Sequence, residues 1–302
     1  MNTFVTGRGA VNPWDCDQWG HMNVQYYLAK ASAAQAHLAA RVGLPPSRLR
    51  TAGATLWPVA DRTLFKRELR AGDIYVVRSG FRTVRADGTV DIASRMINQE
   101  TGVESAAFET RLQWTAPGST RAVPWPEDVH LAASALAGEL PGIEPPAPMA
   151  DVLPPGAPPL DALPLTCRGS VEGWECGPDG VASPQAHIAR FNDAITHLFL
   201  CMKIDRNALF ASGTGSAALD YDIVYHRPMR AGTGIEVRSG VLAVGEKVFH
   251  VVHHIVDAAD GALLTTIVVA ALFFDLKARR SIAIPPAIRA EVLRLLAEHG
   301  GG

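Results

Sequence analysis

A chain of 302 residues, 48% apolar and 19% charged, has the composition of a globular protein with a real core and the length of about two domains. Its formal net charge of −2 supplies no basic field for nucleic acid or acidic lipid, so neither is an expected partner. No apolar run approaches the ~18 residues of a membrane span, and residues 1–11 lack the basic and apolar regions of a signal peptide, so a cytoplasmic protein is expected. Cys16, Cys167, Cys176 and Cys201 form no C-x-x-C and no zinc spacing. They read as free thiols, mostly buried, and neither a metal nor a cofactor is expected.

In chain order, Asn12 to Gly20 is polar and turn-prone. A helix follows, with Val24, Tyr27, Leu28, Ala31, Ala34, Leu38 and Val42 at three- and four-residue spacing. Gly43, with Pro45 and Pro46 beyond, stops it. Strands are predicted over Thr55–Val59, Thr63–Leu69, Ile74–Arg85, Thr89–Asn98 and Glu104–Trp114, separated by Gly- and Asp-containing turns. From about Ala116 to Leu165 the density of proline predicts a semi-extended connector, interrupted by a short helix around Asp128–Ala137. A second helix starts at Ser183-Pro184, with Ile188, Phe191, Ile195, Leu198 and Met202 as its apolar stripe. Strands follow near Ala217–Tyr225, Gly234–Val244, Lys247–Val256 and Leu263–Phe274, then an amphipathic helix over Pro285–Glu298.

The two halves repeat at an offset of 160. Trp14, Cys16 and Gly20 recur as Trp174, Cys176 and Gly180, and Arg70-Ala71-Gly72 recurs as Arg230-Ala231-Gly232. Val77-Arg78-Ser79-Gly80 recurs as Val237-Arg238-Ser239-Gly240. Random residues match roughly one time in fifteen at average usage, so runs of three and four at one offset mark a duplication. The period is too long for a solenoid. The expected division is a domain over residues 1–116, a Pro-rich linker over 117–165 and a domain over 166–302. Periodicity alone makes each copy a helix followed by an antiparallel sheet, an α+β chain.

Trp14-Asp15-Cys16-Asp17-Gln18-Trp19-Gly20-His21-Met22-Asn23, followed by Tyr26-Tyr27, resembles the signature of the 4-hydroxybenzoyl-CoA-type hotdog thioesterases, Asp-Cys-Asp-x-x-Gly just before the central helix. The Gly-His-x-Asn tail is similar to that of related acyl-CoA and acyl-carrier-protein thioesterases. The resemblance implies two hotdog domains, each a curved antiparallel sheet wrapped around a long helix, and hydrolysis of an acyl-CoA or acyl-carrier-protein thioester to acid and thiol. It implies that Asp17 attacks the carbonyl or activates water, with a helix N-terminus as oxyanion sink. His21 and Asn23 complete the catalytic candidates, and Trp19, Gly20, Tyr26 and Tyr27 the substrate-binding ones. Sites in this fold form between paired domains, and a homo-oligomer is expected.

The repeat weighs each residue against a plainer role. Asp15 keeps an acid in copy two, Glu175, which points to shared structure; Asn23 matches Ser183, both good N-caps. Tyr26 and Tyr27 read as core or pocket wall, His37 and His197 as structural, and Arg78 and Arg238 as sheet supports. Arg62, Lys66, Arg67 and Arg70 either meet CoA phosphates or form a solvated face. Copy two has Gly177 for Asp17 and Val181 for His21, with Asp179 or Glu175 as conceivable substitutes, so one competent site per chain is expected. Two readings stay open beside hydrolysis: a hotdog enoyl-CoA hydratase or dehydratase, and a non-catalytic acyl-CoA binding protein. No G-x-S-x-G elbow, P-loop or dinucleotide fingerprint is present.

Overall fold

In the computed structural model, which describes residues 2–116, 119–140 and 152–299, the first strand is β1 (Phe4–Ala10). Sequence reading misses it because Gly7 and Gly9 dilute the strand pattern. The predicted first helix is α1 (Val24–Arg41), which buries Tyr27, Leu28, Ala31, Ala34 and Leu38. Pro46, read as a stop, instead opens a short helix, α2 (Pro46–Ala52), since proline suits the first helical turn. The two strands expected around Pro58 are one, β2 (Thr55–Phe65). Its register shifts between Pro58 and Ala60, so proline sits beside a bulge, a place where strands accommodate it. β3 (Ile74–Val84), β4 (Thr89–Asn98) and β5 (Glu104–Thr115) lie within a residue of expectation, and the interrupting helix is α3 (Glu127–Leu136).

Contacts divide the chain into two compact units, residues 1–146 with 172–188, and residues 147–171 with 189–302. In the first, antiparallel pairing gives the strand order β1-β3-β4-β5-β2. Its core joins Leu38, Val42 and Leu44 to Phe81, Val90, Ile92 and Trp114, with Trp125, Val129 and Ala133 from the α3 region. The repeat's second copy gives β6 (Leu165–Ser170), α4 (Pro184–Cys201), α5 (Arg206–Ala211), β7 (Thr214–Tyr225), β8 (Gly234–Val244), β9 (Val248–Asp257), β10 (Leu263–Asp275), β11 (Arg280–Ile282) and α6 (Pro286–His299). Its strand order is β6-β8-β9-β10-β7, with β11 on β10. The short elements β6, α5 and β11 were not legible in the sequence. The connector prolines at 117, 141, 145, 146 and 148 lie outside the described residues.

Three further expectations meet the structure. Arg78 donates to the Thr3 carbonyl at 3.4 Å and Arg238 to the Leu163 carbonyl at 3.0 Å, so each ties its strand to the segment leading into the neighbouring edge strand. His37 and His197 are exposed, a correction to their structural reading: each falls on the outward side of its helix. The four cysteines are free, as expected, but each is only partly buried, short of the mostly buried thiols expected.

Among the buried polar groups, Asp91 is 1% exposed and meets two arginines, Arg85 and, at 2.8 Å, Arg111. Burial alone raises its carboxyl, but the hydrogen bonds from Arg85 and Arg111 outweigh that and hold it below its ordinary value. A carboxyl depressed in the folded state adds stability above its unfolded pKa and loses it as pH falls through the folded one. Urea midpoints are therefore expected to drop below about pH 4, the ordinary carboxyl range, with a shallower drop in Asp91→Asn.

Candidate active site

The site is built on the loop between β1 and α1. Pro13–Asp15 forms a turn of 3-10 helix, closed by Asp15, whose Oδ2 accepts the Asn12 N–H at 3.1 Å and lies 3.6 Å from Lys30 Nζ. The chain then doubles back, Cys16 bridging to Met22. Asp17 N–H donates to the His21 carbonyl at 2.8 Å, and Gly20 N–H to the Asp17 carbonyl at 3.0 Å. Gly20 has φ +76°, a conformation that favours glycine, which explains its return as Gly180 at φ +72°.

The carboxylate of Asp17 is anchored by one oxygen. Its Oδ1 accepts the N–H groups of Trp19 at 2.9 Å and His21 at 3.1 Å, while Oδ2 takes no hydrogen bond from the described residues. Asn23 is the N-cap expected: its Oδ1 accepts Gln25 N–H at 3.1 Å, and its own N–H donates to the Asp15 carbonyl at 2.8 Å. That leaves Val24 N–H, in the first turn of α1, without a hydrogen-bond partner among the described residues. Sequence reading names side chains and passes over this backbone donor.

His21 touches Asp17 through its backbone; its ring goes elsewhere. Nε2 lies 2.9 Å from Arg70 Nη2 and 3.4 Å from Glu68 Oε2. A guanidinium only donates, so the short contact places a lone pair on Nε2 and, in the neutral ring, the proton on Nδ1. Arg70 and Glu68 are residues the sequence reading did not connect to His21. Lys66, considered for phosphate binding, pairs with Glu104 at 2.6 Å, and Arg67 is exposed. Tyr27 is buried, its hydroxyl accepting Leu69 N–H at 3.0 Å and its ring edge-on to Phe65 at 5.4 Å. Trp19 and Tyr26 are half-buried.

Copy two rebuilds the same loop from different side chains. Glu175 Oε2 accepts Glu172 N–H at 2.9 Å, as Asp15 serves Asn12. Gly177 N–H donates to the Val181 carbonyl at 2.8 Å and Gly180 N–H to the Gly177 carbonyl at 2.9 Å. The N–H of Val181, equivalent to that of His21, is held by Asp179 Oδ1 at 3.1 Å. The other Asp179 oxygen accepts from Thr55 Oγ1 at 2.9 Å. Both conceivable substitutes for Asp17 are thus engaged in loop structure. The turn does not need a carboxylate at the Asp17 position.

A loop–helix–antiparallel-sheet unit occurring twice is the double hotdog. The thioesterase-like superfamily model matches residues 11–132 and 174–292, and the chain belongs to that superfamily, which places it among thioester hydrolases. No curated protein matches the chain in sequence. Among solved structures, a Lactobacillus plantarum protein assigned as an oleoyl thioesterase superposes with TM-score 0.69 at 11% identity, covering 89% of this chain and 94% of the other. An acyl-ACP thioesterase from Bacteroides thetaiotaomicron gives 0.66 at 12% over 90% and 98%. The 12:0-ACP thioesterase from Umbellularia californica gives 0.66 at 8% over 90% and 95%. At these identities the likeness establishes the fold. Among the described residues no helix is long and apolar enough to cross a membrane, and no three His, Cys, Asp or Glu are grouped to hold a metal ion.

Proposed function

We propose that the chain hydrolyses an acyl thioester of CoA or acyl carrier protein in the cytoplasm, with Asp17 as the reacting carboxylate. The observation that carries this is the asymmetry at Asp17: one oxygen is anchored by two backbone N–H groups, and the other is uncommitted. A group held this way is oriented without being neutralised, which is what nucleophilic or general-base catalysis asks of it. As nucleophile, Oδ2 adds to the thioester carbonyl, the thiolate leaves, and water cleaves the mixed anhydride. As base, it takes the proton of the water that adds. Either route puts negative charge on the carbonyl oxygen, and Val24 N–H at the positive end of α1 is the donor available to it.

In this reading His21, its Nε2 turned to Arg70, offers Nδ1–H to the carbonyl, and Asn23 holds the helix start in place. Trp19, Gly20 and Tyr26 line the entrance, and Tyr27 acts as wall, its hydroxyl being already engaged. The fold shared with acyl-ACP thioesterases supports a carrier-protein thioester as well as CoA. Each repeat is proposed as one hotdog domain, over residues 1–116 and 166–302, joined by 117–165. Release of free thiol, followed with a thiol-reactive dye across short, branched, aromatic and long acyl-CoAs and acyl-carrier thioesters, tests the reaction. Cleavage of one class is expected. Hydration of an enoyl-CoA without thiol release, or tight binding without turnover, would instead favour the hydratase or the binding protein.

A further inference from the structure

The two repeats differ most in chemistry on one strip between the central helix and the sheet. In copy one, Gln35 Nε2 on α1 donates to Thr110 Oγ1 on β5 at 2.7 Å, and Thr110 Oγ1 donates to the carboxylate of Asp61 on β2. Thr63, two residues from Asp61 and so on the same face of β2, has a buried hydroxyl with no partner among the described residues. The four are 7%, 2%, 6% and 0% exposed respectively. Ala31 lies one helical turn before Gln35.

Strand registers identify the counterparts in copy two. Asp61 pairs with Thr110 as Tyr221 pairs with Val269, and Ser79 with Ser94 as Ser239 with His253. The repeat offset takes Ala31, Gln35 and Thr63 to Phe191, Ile195 and Ile223. Every polar member of the strip is therefore apolar or aromatic in copy two. There the space is filled by rings, Phe191 standing edge-on to Tyr221 at 5.2 Å and to His253 at 4.7 Å. Copy one has a methyl, a carboxylate and a hydroxymethyl at those three places. A duplicated domain shows that the fold accepts an apolar filling here, and burying polar groups is costly without a compensating bond. Copy two buries one polar ring there, His253, whose Nε2 has no partner among the described residues, but the amide–hydroxyl–carboxylate chain is kept only in the copy that has Asp17.

The strip is remote from the loop. The Tyr27–Phe65 ring pair marks the end of the helix–sheet layer nearest the Asp17 loop. From Tyr27 to Gln35 is eight residues of helix, ~12 Å, and from Phe65 to Asp61 four residues of strand, ~13 Å. The two rulers agree.

We propose that Asp61, Thr63, Thr110 and Gln35 determine acyl specificity, receiving a hydroxyl carried on the acyl chain far from the thioester. The inference rests on the thioesterase reading above. Thr63 Oγ1 and the Gln35 amide supply the donor and acceptor such a group needs. A site built to hydrogen-bond a hydroxyl discriminates against the chain that lacks it, because its own buried groups are then left unmatched.

The test compares medium- and long-chain ω-hydroxyacyl-CoAs, each paired with the unsubstituted chain of the same length. The preferred hydroxylated member is expected to exceed its partner at least about tenfold in kcat/KM, the scale of one well-made hydrogen bond. Thr63→Val and Gln35→Leu should each cut that ratio several-fold, and Thr63→Ser should restore it. A ratio near one for every pair, or variants that slow both members equally, would overturn the proposal and leave the strip a structural network. Loss of turnover on both members in Asp61→Asn would also overturn it, by moving that carboxylate into the chemistry. If no thioester is cleaved at all, the thioesterase reading fails separately. The strip is then read by thermal shift with free ω-hydroxy and plain acids: a larger shift with the hydroxy acid, lost in Thr63→Val, supports it, and equal shifts sink it.

Discussion

Asp17→Asn is expected to lower kcat for thioester cleavage by about a hundredfold or more, the scale of a lost catalytic group, with little change in thermal midpoint. The amide oxygen of asparagine can still accept the Trp19 and His21 N–H groups that Oδ1 accepts now, so the loop keeps its anchor. What disappears is the charge on the uncommitted oxygen. Copy two provides the structural control, since its loop closes with Gly177 in that place and Asp179 holding Val181 N–H. Asp17→Gly should therefore fold as well, and fall as far as the asparagine variant or further. An asparagine variant as active as wild type beside a dead glycine variant would assign Asp17 to loop anchoring alone. Single turnover in H2 18-O water reads the nucleophilic route directly: label entering the Asp17 side chain marks water adding to the Asp17 carbonyl of the anhydride, whereas the base route delivers label to the acid product alone.

The parts of the fold legible in sequence were those whose signals are local. Helix α1 announces itself through Tyr27, Leu28, Ala31, Ala34 and Leu38, all buried, and β4 through the turns that bound it, Ala86-Asp87-Gly88 and Thr101-Gly102. Where a residue has two uses the reading slips. Pro46 stops α1 but also starts α2, and Pro58 breaks a pattern without breaking β2. Edge strand β1 stays hidden because Gly7 and Gly9 lower its strand propensity while its pairing with β3 holds it. The loop of the candidate site was legible by resemblance, and its N-cap by residue type. The contacts of its histidine were not, since Glu68 and Arg70 approach His21 only after the sheet has closed, 47 and 49 positions along the chain. The Asp61–Thr110–Gln35 chain is of the same kind, three residues on three elements that no spacing relates.

The same repeat comparison yields a large expected effect on stability. Glu109, 1% exposed, is held by Arg82 through two guanidinium contacts. In copy two the equivalent positions are Leu242, at the same bulge in its strand, and Val268, which pack with Leu163 and Val252. Burial raises the Glu109 carboxyl, and Arg82 does not fully reverse it, so the group stays above its ordinary value. Asp91, with two arginines, ends below its own. Arg82 thus offsets only part of the desolvation of Glu109, whereas Arg85 and Arg111 together outweigh that of Asp91. Removing the partner alone should be severe: Arg82→Leu strands a buried carboxylate and is expected to cost about 3–5 kcal/mol. Replacing both, Arg82→Leu with Glu109→Val, installs the pair copy two already uses and should recover most of that loss, matching or exceeding wild type, as buried ion pairs often do when exchanged for packed apolar groups. Urea titrations of the two singles and the double form a closed cycle. A double variant clearly less stable than wild type would show that the ion pair contributes net stability over the apolar pair, and one as unstable as the sum of its singles would show that Arg82 and Glu109 are not coupled; either would mean that the two repeats have diverged too far at this level for one to stand in for the other.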